Sequence, residues 1–172
     1  MTEGLNELTS PEVFYAHLLG LEHEFADRLG DLSDCLEAHN NPDAARVCSI
    51  ARMMHERRIA NIAKRSVNME LPTVAPWDYV WHNRVNIEAM CMASVHYLMT
   101  PLEAVELVLA KIDAAHDFYT SVAQRFEGNA TGEAAAMVLA DFGVELQEFR
   151  QWAADLTPVK VTEDPDPPNE PL

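Results

Sequence analysis

Apolar residues recur along the chain at alternating three- and four-residue steps, which is the spacing that keeps one face of an α-helix buried. The first such segment opens at Ser10-Pro11-Glu12, where a capping residue precedes a proline at the first helical position. It ends near His39-Asn40-Asn41-Pro42, because asparagine can cap a helix and proline cannot continue one. Its predicted inward stripe is Phe14, Leu18, Leu21, Phe25, Leu29, Leu32 and Leu36.

Three further segments repeat this pattern. The second starts at Asn41-Pro42-Asp43, the third at Thr100-Pro101 with a capping-box Glu103, and the fourth after the short loop 127–132. The predicted inward stripes are Val47, Ala51, Met54, Arg58 and Ile62, then Val105, Val108, Ile112, Ala115, Tyr119, Val122 and Phe126, then Val138, Phe142, Leu146, Phe149, Trp152 and Leu156. The chain is therefore predicted to be all-α, with four long helices.

The stretch 70–100 has no single period and predicts a long crossover between the second and third helices. Residues 85–98 could add a short helix there. The aromatic residues Trp77, Tyr79 and Trp81 could line a ligand pocket, although aromatic side chains in a crossover more often cover a core or form a subunit interface. Both interpretations remain open at the level of sequence.

Composition divides the 172 residues into a bundle over 1–157 and a tail over 158–172. The tail holds five of the ten prolines and four acidic residues, so we expect it to form no core. The scattered Cys35, Cys48 and Cys91 form no CxxC pair, which predicts buried reduced thiols rather than a disulfide framework or a rubredoxin-type iron site.

The net charge of −16 predicts no nucleic-acid partner and no anionic membrane surface as a partner, because such an acidic protein repels both. The first twelve residues show no secretory signal pattern, so we expect a cytoplasmic protein. Exposed apolar surface in the crossover suggests a homodimer.

Several polar residues fall near the apolar centre of their helices on a helical wheel. They are Glu22, His55, Arg58, His116 and Glu145. In one interpretation, Glu22, His55, His116 and Glu145 are ligands of one transition metal, iron or zinc. In the other, Arg58 supplies the cation itself and pairs with Glu22 or Glu145 in a buried network, because an unpaired buried charge is costly. We favour the second, in which no cofactor is expected, since a guanidinium beside a metal opposes metal binding.

Several stretches resemble the rubrerythrin-like proteins of the ferritin-like superfamily. They are HLLGLEHEFA (17–26), AHNNP (38–42), HYLMTPLEA (96–104), AHDFY (115–119) and DPDPP (164–168). The resemblance spans nearly the whole chain and implies a ferritin-like four-helix bundle, and it adds to the expectation of a homodimer.

Active members of that family bind two irons through a Glu on the first and third helices and a Glu-x-x-His pair on the second and fourth. Matched helix by helix, this chain keeps only the first ligand, Glu22. The other ligand positions fall on His55, Arg58, Ile112, Phe142 and Glu145. The resemblance therefore implies a degenerate di-iron site.

Three functions follow as hypotheses. The first is a non-catalytic protein, an interaction or regulatory scaffold. The alternative is a metal-dependent oxidoreductase, peroxidase or iron-handling protein with a rebuilt metal site. A third is a small-molecule binder that uses the space left by the irons, although Ile112 and Phe142 would fill much of it. Whether the protein is an enzyme is left open by the sequence, and we lean towards a non-enzyme.

Overall fold

Four long helices and a crossover that runs beside the first of them make up the structure, a computed structural model that describes residues 4–90 and 98–156. The helices are α1 (Pro11–Ala38), α2 (Pro42–Arg65), the one-turn α3 (His82–Val85), α4 (Pro101–Arg125) and α5 (Ala130–Ala154). Short 3-10 turns lie at Leu5–Glu7, Pro76–Asp78 and Ile87–Ala89. The predicted tail and Cys91 lie outside the described residues.

Three of the four long helices begin where the sequence predicts, whereas α5 begins at Ala130, inside the predicted loop 127–132, because the side chain of Asn129 caps it. Ser10 accepts a hydrogen bond from the backbone N–H of Val13 at 3.4 Å, and Asn41 accepts one from Ala44 at 3.3 Å. At α4 the capping box is complete. In all three cases proline occupies the first helical position, where its missing N–H costs nothing. The predicted starts of these helices are confirmed.

The helices pair as α1 with α2 and α4 with α5, and α2 also packs beside α4. The side-chain amide of Asn41, at the start of α2, donates to the carbonyl of Met99, just before α4, at 2.7 Å. Helices α2 and α4 therefore begin at the same end of the bundle and run in the same direction. Two neighbouring helices that run in the same direction need a connection as long as the helices themselves. The predicted all-α, ferritin-like four-helix bundle with a long crossover is confirmed.

The crossover packs against α1 through its aromatic residues. The indole N–H of Trp81 donates to the carbonyl of His17 at 2.9 Å, and the ring of Tyr79 lies directly on the backbone at Gly20. Residues 91–97, which make up half of the range 85–98 where a short helix is predicted, lie outside the described residues. In the described part, the one-turn helix at His82–Val85 ends because Asn86 takes a left-handed conformation, and a 3-10 turn follows at Ile87–Ala89.

The predicted inward stripes are buried with three exceptions, Phe126, Trp152 and Leu156, which are partly buried at helix ends. Cys48 is buried and Cys35 partly so, each as a free thiol. In the described part of the chain, no helix is both long enough and apolar enough to cross a membrane.

Candidate functional site: a charged network inside the bundle

Glu22 of α1 lies at the centre of the bundle, fully buried, and receives hydrogen bonds from two other helices. The hydroxyl of Tyr119 on α4 donates to its Oε1 at 2.6 Å. The Nδ1 of His55 on α2 lies 2.6 Å from its Oε2. Both contacts are short, as expected when the acceptor is an ionised carboxylate.

Arg58 of α2 bridges two buried carboxylates that come from different helices. Its Nε donates to Oε2 of Glu145 on α5 at 2.7 Å, and its Nη1 lies 3.3 Å from both oxygens of Glu22. Its Cζ lies 4.2 Å from the centre of the Phe142 ring, within the range of a cation–π contact. The guanidinium is thus held by two acidic groups and one aromatic face.

The outer oxygen of Glu145 is held by a second guanidinium. Nε of Arg57 donates to Oε1 of Glu145 at 2.8 Å, while the Arg57 side chain remains 53% exposed. The two carboxylates of the network therefore face two guanidiniums, one buried and one at the surface. This balance satisfies the rule that buried charges must be paired.

The electrostatics of Glu22 follow from its neighbours. Burial raises the pKa of its carboxyl. The charge of Arg58, the electrostatic interaction and hydrogen bond with His55, and the hydrogen bond from Tyr119 oppose that effect, and the net result lowers the pKa from 4.5 to about 2. Burial, with the adjacent carboxylate, also raises the pKa of Tyr119 well above its ordinary value. At neutral pH Glu22 is therefore an anion and Tyr119 a neutral donor.

His55 is wholly buried, and its ring stacks on Phe25 with centroids 4.3 Å apart. Burial and the charge of Arg58 lower its pKa, against the opposing effect of Glu22. The imidazole is therefore neutral, with the proton on Nδ1 donated to Glu22. Within the described residues, its Nε2 and the Nη2 of Arg58 are buried without a hydrogen-bond partner.

Four of the five polar residues predicted to face the interior meet there: Glu22, His55, Arg58 and Glu145. The prediction that His116 faces the interior is wrong. Its side chain is 41% exposed, and its Nδ1 lies 3.9 Å from the carboxylate of the adjacent Asp117. Ile112, Ala115 and Tyr119 occupy the centre of the α4 face instead.

Sequence reasoning missed two members of the network. The apolar stripe of α4 predicts Tyr119 only as a core residue, although a buried tyrosine hydroxyl needs a hydrogen-bond partner and therefore indicates a polar neighbour. Arg57 gave no such signal, because its position on α2 falls outside the inward stripe and its contact with Glu145 depends on how the helices pack.

At the positions that the resemblance assigns to iron ligands, the side chains do not fit a pair of iron ions. Ile112 and Phe142 are fully buried hydrocarbon, and Arg58 holds a fixed positive charge against Glu22 and Glu145. Over residues 4–90 and 98–156, no three His, Cys, Asp or Glu side chains are grouped so as to hold a metal ion.

A solved structure shares this architecture. An uncharacterized conserved protein from Magnetospirillum magnetotacticum MS-1 superposes with a TM-score of 0.61 and 26% sequence identity, over 88% of this chain and 98% of that one. No protein-family model matches the chain, and no curated protein matches it. The similarity supports the ferritin-like bundle and carries no statement of activity.

Proposed function

We propose that this chain is a non-catalytic, rubrerythrin-related scaffold, an interaction or regulatory protein in which Arg58 takes the electrostatic place of a metal ion. The observation that carries the proposal is the bridge from Arg58 to Glu22 at 3.3 Å and to Glu145 at 2.7 Å. Carboxylates that would bind a cation from solution are already neutralised by a cation of the chain itself.

Two physical arguments support this function. A metal ion placed between Glu22 and Glu145 would meet the guanidinium in a low-dielectric interior, where repulsion between like charges is strong. Bridging two irons also needs carboxylate oxygens from the third and fourth helices, and Ile112 and Phe142 have none. The interior residues therefore do not provide a reactive metal site. We infer that the protein contacts other molecules through its surface.

The test is metal analysis of the purified chain after anaerobic incubation with Fe(II) and removal of unbound iron. We expect well under one iron per chain, and no peroxide turnover above a protein-free blank. About two irons per chain together with peroxide turnover would overturn the proposal.

A pair of variants separates the effect of Arg58 from that of general charge. In Arg58→Met, the freed carboxylates of Glu22 and Glu145 should attract a divalent cation, so added Co(II) should raise the melting temperature. In Arg57→Met, the surface guanidinium is removed and Arg58 remains, so Co(II) should have no such effect. Far-UV circular dichroism shows whether each variant is folded before metal is added. An equal response of both variants would count against the specific role of Arg58.

The alternative function is a metal-dependent oxidoreductase or iron-handling protein with a rebuilt site. One observation favours it: Nε2 of His55 is buried and has no hydrogen-bond partner among the described residues. Neutral imidazole nitrogens of this kind are common metal ligands. Loss of a bound metal in His55→Ala, but not in the exposed-site variant His116→Ala, would support this alternative.

A homodimer is part of the scaffold proposal. The exposed apolar side chains of Met137 and Val144 lie seven residues apart on α5, and therefore on one face of that helix. Sedimentation equilibrium is expected to give twice the mass of one 19.3 kDa chain. A monomer at all concentrations would remove this part of the proposal and leave the rest standing.

A further inference from the structure

A cleft of about 300 Å³ lies where the crossover meets α1, on the outside of the bundle. Its principal lining residues are Glu24, Trp77, Tyr79, Trp81, His82 and Glu88, and we call it the aromatic cleft. It combines three aromatic side chains with two carboxylates. It shares no residue with the charged network.

Two of its aromatic walls are held in position before any ligand arrives. Trp81 is 2% exposed, and its indole N–H is bonded to the carbonyl of His17. Tyr79 stacks on Trp81 with ring centroids 4.9 Å apart and planes 19° apart. The hydroxyl end of the Tyr79 ring contacts the backbone of Gly20, where a Cβ atom would come within 2.3 Å of the ring. Walls fixed in this way lose little entropy on binding.

The third aromatic residue, Trp77, is 80% exposed. It lies in the 3-10 turn Pro76–Asp78, where the proline fixes the backbone of the turn's first residue. An indole offers a large apolar face, and leaving it in water forgoes the stabilisation that burial would give. Trp77 is therefore available to close over a molecule in the cleft.

The carboxylates of Glu24 and Glu88 add negative charge beside these rings. Each makes one short contact through Oε1, Glu24 with Nε of Arg28 at 2.9 Å and Glu88 with Nε2 of His82 at 2.9 Å. The charge of Arg28 also interacts with Glu88. In the described part of the chain, neither Oε2 has a hydrogen bond. Unlike Glu22, these groups lie near solvent and can face a ligand's charge.

We propose that the aromatic cleft binds a small organic cation, a group with an alkylated ammonium. Alkyl groups around the nitrogen pack on the exposed indole of Trp77, which attracts the positive charge through its π electrons, and the stacked pair of Tyr79 and Trp81 forms the wall behind them. Glu24 and Glu88 supply the balancing negative charge. The inference does not depend on the proposed function of the interior network.

Other occupants fit the cleft less well. An anion would be repelled by Glu24 and Glu88, and a neutral apolar molecule would desolvate them without compensation. The homodimer proposed above is based on Met137 and Val144 of α5, which do not line the cleft, so a second copy of the chain is not its expected occupant. Aromatic rings give a bare metal ion no lone pairs of the kind it prefers.

The test is a titration of the full chain with tetramethylammonium chloride, at constant ionic strength, followed by NMR of the tryptophan indole N–H groups. The Trp77 resonance is assigned by its absence in Trp77→Phe. tert-Butanol serves as an uncharged molecule of similar shape. We expect tetramethylammonium to shift the Trp77 and Trp81 resonances in a saturable way, and tert-butanol to bind about tenfold more weakly.

Variants locate the binding. Trp77→Ala should weaken tetramethylammonium binding about tenfold and Trp77→Phe only slightly, because a phenyl ring keeps an aromatic face. Glu88→Gln should weaken it about threefold by removing one charge at the edge of the site. Val67→Ala, which truncates an exposed apolar side chain elsewhere, should leave it unchanged.

Three results would overturn the proposal. The first is the absence of a saturable shift with tetramethylammonium up to about 10 mM, because a preformed site for cations should bind below that concentration. The second is equal binding of tert-butanol, which would make the cleft merely apolar. The third is a dimer that dissociates on Trp77→Ala, because a second copy would then cover the cleft.

Discussion

The charged network and the aromatic cleft place carboxylates of one helix in opposite situations. Glu22 and Glu24 are two residues apart on α1, about 200° around the helix, so one faces the interior and the other the surface. Glu22 is fully buried and meets three groups of the chain itself, Arg58, His55 and Tyr119. Glu24 makes a solvent-edge pair with Arg28 and lines an open cleft.

The difference shows how burial decides the use of a carboxylate. Inside, an ionised group without a partner would cost several kcal/mol, so the fold must supply the counter-charge and the site is closed. At the surface, water can solvate the group, and the chain can leave part of its negative charge for another molecule. In the network the charges are matched within the chain itself, and the cleft is the region where we expect binding.

The largest expected effect comes from removing the cation of the network. Arg58→Met leaves Glu22 and Glu145 buried beside a neutral side chain, and the free energy of unfolding should fall by about 3–5 kcal/mol. Urea-induced unfolding at pH 7 measures it. As a control, Arg52→Met breaks an exposed pair with Glu56 and should cost less than about 1 kcal/mol. Equal losses in the two variants would show that the network has no special role.

The second-largest expected effect is a loss of stability in acid, when Glu22 becomes protonated. Because the pKa of Glu22 is about 2 in the folded chain and 4.5 as its ordinary value, the unfolded state binds the proton first as pH falls. The stabilisation is complete above pH 4.5 and is lost towards pH 2, an effect of about 3 kcal/mol.

Unfolding measured between pH 6 and 2 should show this loss in the wild type, and a smaller pH dependence in Glu22→Gln. The exposed-site variant Glu56→Gln should keep the wild-type slope. A Glu22→Gln profile parallel to the wild type would mean that Glu22 does not carry the acid sensitivity.

A smaller change in the free energy of unfolding is expected when Gly20, which lies against Tyr79 of the aromatic cleft, is replaced. In Gly20→Ala the new Cβ would lie 2.3 Å from the Tyr79 ring, so the ring must leave α1, and we expect a loss of about 1–3 kcal/mol. Gly143→Ala on α5 has no atom within 4 Å of the new Cβ and should stabilise the chain by about 0.5–1 kcal/mol. Thermal unfolding of both variants measures the two changes. A stabilised Gly20→Ala would show that Tyr79 does not depend on this contact.

The smallest change in stability should come from Arg28→Met at the edge of the cleft. Loss of this exposed pair should alter the free energy of unfolding by less than about 1 kcal/mol. With Glu24 released, tetramethylammonium should bind about twofold more tightly in the NMR titration. Weaker binding would indicate that Arg28 helps to shape the cleft.

The sequence predicted the helical bundle because its signals are local. The periodic stripes, and the capping residues Ser10, Asn41 and Thr100, depend only on residues a few positions apart. The same wheel placed Glu22, His55, Arg58 and Glu145 towards one interior, and the need to pair a buried guanidinium indicated a carboxylate partner.

The tertiary structure alone decided which groups meet. Whether His116 points inward depends on how α4 is rotated about its own axis, which helix packing sets and a helical wheel cannot resolve. The contacts of Tyr119 with Glu22, Arg57 with Glu145 and Tyr79 with Gly20 join residues 97, 88 and 59 positions apart. Local periodicity has no information over such distances, so the charged network and the aromatic cleft exist only once the helices and the crossover are packed together.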